Sequence, residues 1–375
     1  MIRVLTFGRF ADDNFGGLER YVFELGRALE GEVEFVNIVA RRGAPPDVRL
    51  AGETVYAAPL ATLGGTPICP SMPWHALRRH RRAPFDIAHL QFPADPMAHL
   101  AYALLPRGVG RVIGWHSDIV RQQGLLALYR PFLERSLRGA HAIIAATPAH
   151  VSSSEQLAPV RDTAQFRIIP YGFDLARFER RPAQADELRQ RFGGRFLVFA
   201  LGRHVYYKGF EFLIRALAQL PGVELALGGQ GPLTGELREI ARQAGVADRV
   251  HFVGRIPDRD LPAWYYACDA FCLPSVEAAE AFGIVQVEAM ACGRPVVCCE
   301  LGNGVNWVNQ DGETGLTVPP ADPAALAAAL ARLLAEPALR ARLGEAGSRR
   351  AHGVFSARAM AQATLAVYRE VLSRL

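Results

Sequence analysis

Pro274-Ser275-Val276-Glu277-Ala278-Ala279-Glu280-Ala281-Phe282-Gly283-Ile284-Val285-Gln286-Val287-Glu288-Ala289-Met290-Ala291-Cys292-Gly293-Arg294-Pro295 is the most informative stretch of this 375-residue chain. Short apolar runs at 269-273 and 295-299 flank it and read as strands. Between them the apolar pattern predicts a helix closing near Gly293, so the stretch runs from strand to loop to helix to strand. Glu280 falls in the loop before this helix and Glu288 about one turn inside it, so both carboxylates can face one cleft from different depths. Most glutamates end in solvent. Glu288 instead shares an apolar helix face with Met290 and Ala291, and a buried carboxylate needs a partner, such as ribose hydroxyls.

The same alternation continues outward. Strand candidates lie near 196-201, 223-228 and 249-254, and in the first half near 2-7, 33-39, 53-58, 86-90, 111-115, 141-146 and 166-170. Short apolar strands alternating with helix-length segments are the pattern of parallel α/β sheets. The pattern pauses over 171-195, from Tyr171-Gly172-Phe173-Asp174 through Arg180-Arg181-Pro182 to Gly193-Gly194, which reads as a connector between two units. Residues 323-374 are rich in Ala, Leu and Arg and read as helical. A chain of this length exceeds what one hydrophobic core serves, so two domains are expected, each a doubly wound sheet binding ligands beyond the carboxyl ends of its strands.

Half of the residues are hydrophobic and 21% are charged, which suits a soluble protein with sizeable cores and excludes a disordered or collagen-like chain. Met1-Ile2-Arg3-Val4-Leu5-Thr6-Phe7 reads straight into a strand without a signal-peptide pattern, and no apolar run reaches the about 18 residues that a bilayer span needs. A cytoplasmic protein is expected. Cys69, Cys268, Cys272, Cys292, Cys298 and Cys299 sit mostly among apolar neighbours with no paired zinc-ligand spacing, so they read as small hydrophobes and no metal site is expected. The net charge of +5 suggests anionic partners. Dispersed basic residues and the lack of an aromatic-basic signature argue against nucleic acid. The densest basic run, Arg78-Arg79-His80-Arg81-Arg82, ends a segment that reads as an amphipathic helix with Trp74 and Leu77. It is either a solvated face or a peripheral contact with the anionic inner face of the membrane.

Polar residues at predicted strand ends are the candidates for chemistry. Asn14-Phe15-Gly16-Gly17-Leu18-Glu19 opens a helix after the first strand, either as a backbone cradle for an anion or sugar or as a structural turn. His116 follows Val112-Ile113-Gly114-Trp115, where a histidine is as often structural as functional. Arg203 ends the first strand of the second unit, and Lys208-Gly209 opens the next helix. Cations beside the positive end of a helix dipole are unfavourable unless an anion joins them, so this pair favours a diphosphate site over a solvated loop. Gly229 lies in Gly228-Gly229-Gln230-Gly231-Pro232, where glycine allows either close approach of a nucleotide or a tight turn.

With these residues the chain resembles the retaining family-4 glycosyltransferases of GT-B fold, an α/β class with two Rossmann-like doubly wound domains facing across a cleft. The resemblance rests on Gly16-Gly17, His116, Tyr171-Gly172-Phe173-Asp174, Gly202-Arg203, Lys208-Gly209, Pro274-Ser275 and the two glutamates, Glu280 and Glu288, with the Glu288-to-Pro295 run. It implies an N-terminal acceptor-side domain over 1-175, on which a last helix at 356-375 packs back, and a nucleotide-sugar domain over 176-355.

It also implies that Arg203 and Lys208 grip the donor diphosphate, and that Glu288 holds the ribose. Glu280 with the backbone of Phe282, Gly283, Ile284 and Val285 would hold the transferred hexose, and the base would lie near Val253-Gly254-Arg255. Gly16-Gly17 would touch phosphate or acceptor, and His116 would line the sugar side. No cofactor or metal is expected beyond the nucleotide sugar, although Asp258-Arg259-Asp260 has the spacing of a metal-binding acid pair. Gly302-Asn303-Gly304-Val305-Asn306-Trp307-Val308-Asn309 resembles bacterial polysaccharide and O-antigen mannosyl- or rhamnosyltransferases, which favours a GDP-sugar over a UDP-sugar and a carbohydrate or lipid-linked glycan as acceptor. The alternatives are a nucleotide-sugar 2-epimerase of the same fold and a non-catalytic nucleotide-sugar binder.

Overall fold

The computed structural model describes residues 1–8, 17–41, 50–63, 66–119, 123–277, 279–280 and 282–375. The chain forms two compact units, one of Met1–Phe173 with Ser356–Leu375 and the other of Asp174–Phe355. No helix among the described residues is long and apolar enough to cross a membrane.

The first unit holds strands β1 (Ile2–Gly8), β2 (Val33–Ala40), β3 (Glu53–Ala57), β4 (Ala61–Leu63), β5 (Thr66–Ile68), β6 (Ile87–Phe92), β7 (Gly110–Trp115), β8 (Ala142–Ala145) and β9 (Phe166–Ile168). Seven of them make a parallel sheet in the order β3-β2-β1-β6-β7-β8-β9, while β4 and β5 pair as a small antiparallel ribbon. Both faces of the sheet are covered, which is why its central strands, such as β7 and β8, are apolar runs rather than alternations. Successive residues feed opposite cores. Leu5, Ile113 and Ile143 pack into one, and Val4, Val112 and Ile144 into the other.

The second of those cores is completed from the far end of the chain. The helix Ala357–Leu372 buries Met360, Leu365, Tyr368 and Val371 there beside Tyr21 and Leu25 of the helix Gly17–Ala28. Ser356 caps it through a 3.2 Å bond from Ala359 N–H. Gly172 lets it seat: a Cβ at that position would lie 2.6 Å from Met360 Cβ and 2.7 Å from the Ser356 carbonyl oxygen.

The second unit has six parallel strands, β10 (Phe196–Leu201), β11 (Val223–Gly228), β12 (Val250–Gly254), β13 (Ala270–Leu273), β14 (Val296–Cys299) and β15 (Gly315–Val318). Their order is β12-β11-β10-β13-β14-β15, the doubly wound arrangement. The four-residue β15 and the β4–β5 ribbon were not among the sequence-predicted strands. The 171-195 connector is also more ordered than a linker, since it contains the helix Gln184–Arg191, which buries Ala185 and Leu188 and packs against the helix Leu261–Ala267.

Replacing Gly172 with alanine forces a methyl group into the seat of the C-terminal helix. Overpacking of this kind costs about 1–3 kcal/mol. The urea midpoint of Gly172→Ala should fall accordingly, with amide exchange in 357–372 accelerating more than exchange in the second unit.

Candidate functional site

In the second unit the strand order reverses between β10 and β13, and ligands of such sheets bind outside the carboxyl ends at that reversal. The loops after β10 and β13 are pinned together there. Gly209 ends the turn Tyr206–Lys208 with φ 63°, and a Cβ on it would lie 2.1 Å from the Pro274 carbonyl oxygen. Val276 N–H donates to the Tyr207 carbonyl at 2.9 Å.

This docking brings the Lys208 ammonium onto the Glu280 carboxylate as an ion pair, with the two side chains 10% and 11% exposed. Glu280 Oε2 also accepts from Ser275 Oγ at 2.9 Å. Asn303 Nδ2 donates to the Glu280 carbonyl at 2.9 Å, while its Oδ1 caps the helix Gly304–Val308 through Val305 N–H at 2.9 Å. An ammonium has three donors, so Lys208 can hold Glu280 and a further anion together. Arg203 is exposed on the same loop.

Close by in sequence, the helix Ile284–Ala291 opens at Gly283, φ 68°, with no side-chain cap. A Cβ on Gly283 would lie 2.6 Å from Leu273 Cδ2. First-turn N–H groups of a helix lack intrahelical acceptors, so those of Ile284 and Val285 form an anion-attracting end. Phe282 is buried edge-on against Phe355, with ring centres 5.8 Å apart.

Glu288 is buried, and two of its partners come from the chain itself. Arg177 Nη2 donates to Oε1 at 2.9 Å and the Tyr265 hydroxyl to Oε2 at 2.9 Å. Burial, and then the Glu288 charge, push the Tyr265 hydroxyl well above its ordinary range, so it stays a protonated donor. Any ribose at Glu288 shares the carboxylate with these two residues. Neither was foreseen, because they stand 111 and 23 residues away and no local spacing announces them. Arg177 also reaches Asp258 Oδ2 at 3.4 Å, and Asp260 lies 3.6 Å from Arg259, so the acid pair with metal-like spacing is engaged in ion pairs. Among the described residues no group of three or more His, Cys, Asp or Glu could hold a metal ion.

Gly229 has φ 105°, and a Cβ on it would lie 1.9 Å from the Gly202 carbonyl oxygen. The approach that demands glycine here is to the protein's own backbone. Its N–H donates to the Gly254 carbonyl at 2.7 Å, tying β11 to the Val253-Gly254-Arg255 end of β12, where Arg255 is exposed. His204, fully buried, bonds Thr234 Oγ1 at 2.9 Å through Nδ1, and burial lowers its pKa. It is a neutral strut between the loops after β10 and β11.

His116 belongs to the first unit, directly after β7. Its Nε2 lies 2.8 Å from Gln91 Oε1 and its Nδ1 3.1 Å from the Tyr171 hydroxyl. Gly16 lies outside the described residues, and Gly17 is the first residue of the helix Gly17–Ala28. All six cysteines are free and buried, and burial pushes the Cys268 and Cys299 thiols up to about 12.

Residues 15–177 match the family model described as Glycosyltransferase Family 4, and residues 185–350 match that of Glycosyl transferases group 1. The chain is 34% identical to the D-rhamnosyltransferase WbpZ of Pseudomonas aeruginosa, over 95% of this chain and 93% of that protein. It belongs to the family-4 glycosyltransferases. This transferase is also 31% identical to the O-antigen chain mannosyltransferase C of Escherichia coli, over 99% of each chain. Its fold matches that of a sucrose-phosphate synthase from Thermosynechococcus elongatus with a TM-score of 0.74, at 24% identity and full coverage of both chains. As a family-4 member it is a hexosyltransferase with two Rossmann-like parallel-sheet units of the GT-B fold.

The Lys208–Glu280 pair makes a testable demand on stability. Removing one partner of a buried pair leaves the other charge uncompensated, at a cost of about 3–5 kcal/mol when burial is complete and less here. Lys208→Met and Glu280→Gln should each lower the unfolding free energy. The double variant should lose less than the sum of the two, with a coupling of about 1–3 kcal/mol in a thermodynamic cycle.

Proposed function

We propose that this glycosyltransferase works with retention and without a metal, moving mannose or rhamnose from a GDP-sugar to a hydroxyl of a carbohydrate or lipid-linked glycan. The observation that carries the reading is the meeting of Lys208 and Glu280 where the loops after β10 and β13 are pinned together. It supports one ammonium holding a phosphate together with the carboxylate that orients the sugar. The names of the relatives, a D-rhamnosyltransferase and an O-antigen mannosyltransferase, support the choice of sugar and acceptor class.

In this mechanism Arg203 and Lys208 take the diphosphate, joined by the first-turn N–H groups of Ile284 and Val285, which the family resemblance assigns to the hexose. Glu280, with the backbone of Phe282 and Gly283, orients the hexose. Glu288, braced by Arg177 and Tyr265, takes the ribose. The base lies near Val253-Gly254-Arg255, with Gly229 shaping the adjoining turn. Gly16-Gly17 touches phosphate or acceptor, and His116 lines the sugar. As the bond from the anomeric carbon to the phosphate oxygen breaks, the fixed cations stabilise the charge that develops on the leaving group. The acceptor oxygen bonds to the same face of the oxocarbenium-like carbon, and its proton passes to the departing phosphate. The work of a divalent ion falls to fixed positive groups.

Arg203→Ala and Lys208→Ala should each weaken calorimetric binding of GDP about ten- to hundredfold, since a hydrogen bond to a charged group is worth about 1.5–3 kcal/mol. Glu280→Gln releases Lys208 from its counter-charge, so it should bind GDP as well as or better than the unaltered chain while turning over the GDP-sugar at least about tenfold more slowly. Turnover should persist in excess EDTA. Unchanged GDP affinity in both cation variants, or activity restored only by a divalent ion, would overturn this assignment.

The helix Met72–Arg82 supports a peripheral membrane contact. Trp74 is 55% exposed, the Arg78 guanidinium sits 5.0 Å from its ring centre, and Arg81 and Arg82 are exposed. An exposed indole beside cations suits an anionic headgroup layer. Each arginine near such a surface contributes about 1 kcal/mol, so Arg81→Glu/Arg82→Glu should cut co-sedimentation with phosphatidylglycerol vesicles more than about tenfold. Neutral phosphatidylcholine vesicles should bind neither form.

A further inference from the structure

We propose that Gln91 is a positioning residue that holds His116 in its Nε2–H tautomer, with the Tyr171 hydroxyl donating to Nδ1, so that the imidazole is a fixed wall of the sugar site rather than an acid or base. The functional half of this statement rests on the reading that His116 lines the sugar.

Gln91 is 1% exposed in β6, a strand buried along its whole length. An amide in such a place is costly unless it is hydrogen-bonded. Its oxygen lies 2.8 Å from His116 Nε2, while its nitrogen has no partner, so among the described residues the histidine contact is the one bond that holds it. Across the β6–β7 ladder Gln91 stands opposite Gly114. A glycine in mid-strand weakens a sheet and often marks a close approach by another group. A Cβ on Gly114 would lie 2.3 Å from Gln91 Oε1, 3.2 Å from Gln91 Cδ and 3.1 Å from His89 Nε2. The side chain missing at 114 is therefore the space the Gln91 amide occupies.

That contact also orients the amide. An oxygen lies favourably against a Cα–H, as in the weak C–H···O contacts between strands, whereas an NH2 group there would set hydrogen against hydrogen. With Oε1 as acceptor, His116 Nε2 must carry the proton, and in the neutral ring Nδ1 is left with a lone pair. Tyr171 fits that lone pair. Its hydroxyl is 3.1 Å from Nδ1, and burial pushes its pKa up, keeping the proton on the phenol. The Tyr171 ring lies nearly parallel to the imidazole, 12° between planes at 5.6 Å, and Tyr21 meets it edge-on at 4.9 Å. Rotation of the histidine is blocked by two rings while its two nitrogens are fixed by Gln91 and Tyr171. A transfer whose leaving phosphate takes the acceptor proton has no need of an imidazole base, so a fixed tautomer suits it.

Two-bond 1H–15N spectra of the histidine-labelled full chain read the tautomer directly, with His116 assigned by its loss in His116→Asn. The expected pattern is Nε2–H for the unaltered chain and for Gln91→Glu, whose carboxylate still accepts. It should give way to an averaged or Nδ1–H pattern in Gln91→Leu and in Gly114→Ala, where the new methyl group expels the amide. Transfer by Gln91→Leu should lose about tenfold in kcat with the donor KM within about twofold, and Gln91→Glu should recover most of it. An Nδ1–H or averaged pattern in the unaltered chain, or an Nε2–H pattern that survives Gln91→Leu, overturns the proposal. If Gln91→Leu loses the pattern while it and His116→Asn both transfer sugar normally, Gln91 does hold the tautomer, and the placement of His116 at the sugar is what falls.

Discussion

Two backbone carbonyls, those of Pro274 and Gly202, stand so close to Gly209 and Gly229 that neither glycine has room for a Cβ. The rest of the candidate site in the second unit depends on this contact of main chain with main chain. It presses the loop after β10 against the loops after β11 and β13, and side chains that are distant in sequence then meet. Lys208 reaches Glu280 across 72 positions because their loops are held together by backbone, not because the two charges found one another. The ion pair follows from the docking. Ser275 and Asn303 finish it by bonding the carboxylate and the carbonyl of the same glutamate.

The two glutamates of the opening stretch differ in what surrounds them, and the difference separates their chemistry. Glu280 is held by an ammonium and a hydroxyl, and an ammonium is a flexible point charge that can serve a second anion. Glu288 is held by the planar guanidinium of Arg177 and by the Tyr265 phenol, whose pKa is pushed upward. A carboxylate gripped by such rigid donors keeps its orientation, which suits the recognition of neutral hydroxyls.

Much of this was legible in the residues, and the parts that were not share a cause. Apolar runs such as Phe196–Leu201 and Val223–Gly228 are long enough to declare themselves as strands, and both form over the predicted bounds. The four residues of β15 follow Asp311-Gly312-Glu313-Thr314 and are too few to show a pattern. In the site, Lys208, Glu280 and Glu288 stood out through their local setting and the family resemblance. Arg177, Tyr265 and Gln91 did not, because each acts on a residue that only the folded sheet brings near. Gly229 shows the opposite limit. The sequence marks it as a place where backbone must pass closely, but cannot say whether a ligand or the chain itself is what passes.

The route of the chain through the two units has a consequence for its synthesis. The first unit is interrupted: it opens at Met1, breaks off at Phe173, and resumes only at Ser356. Its core includes Met360, Leu365 and Tyr368, which leave the ribosome only after the whole second unit. The second unit is continuous, so it can close its sheet while the first still lacks the helix that covers part of one face of β1, β6, β7 and β8. During translation the order of completion is therefore the reverse of the order of emergence. The apolar surface awaiting the helix Ala357–Leu372 is the one a chaperone would have to shield.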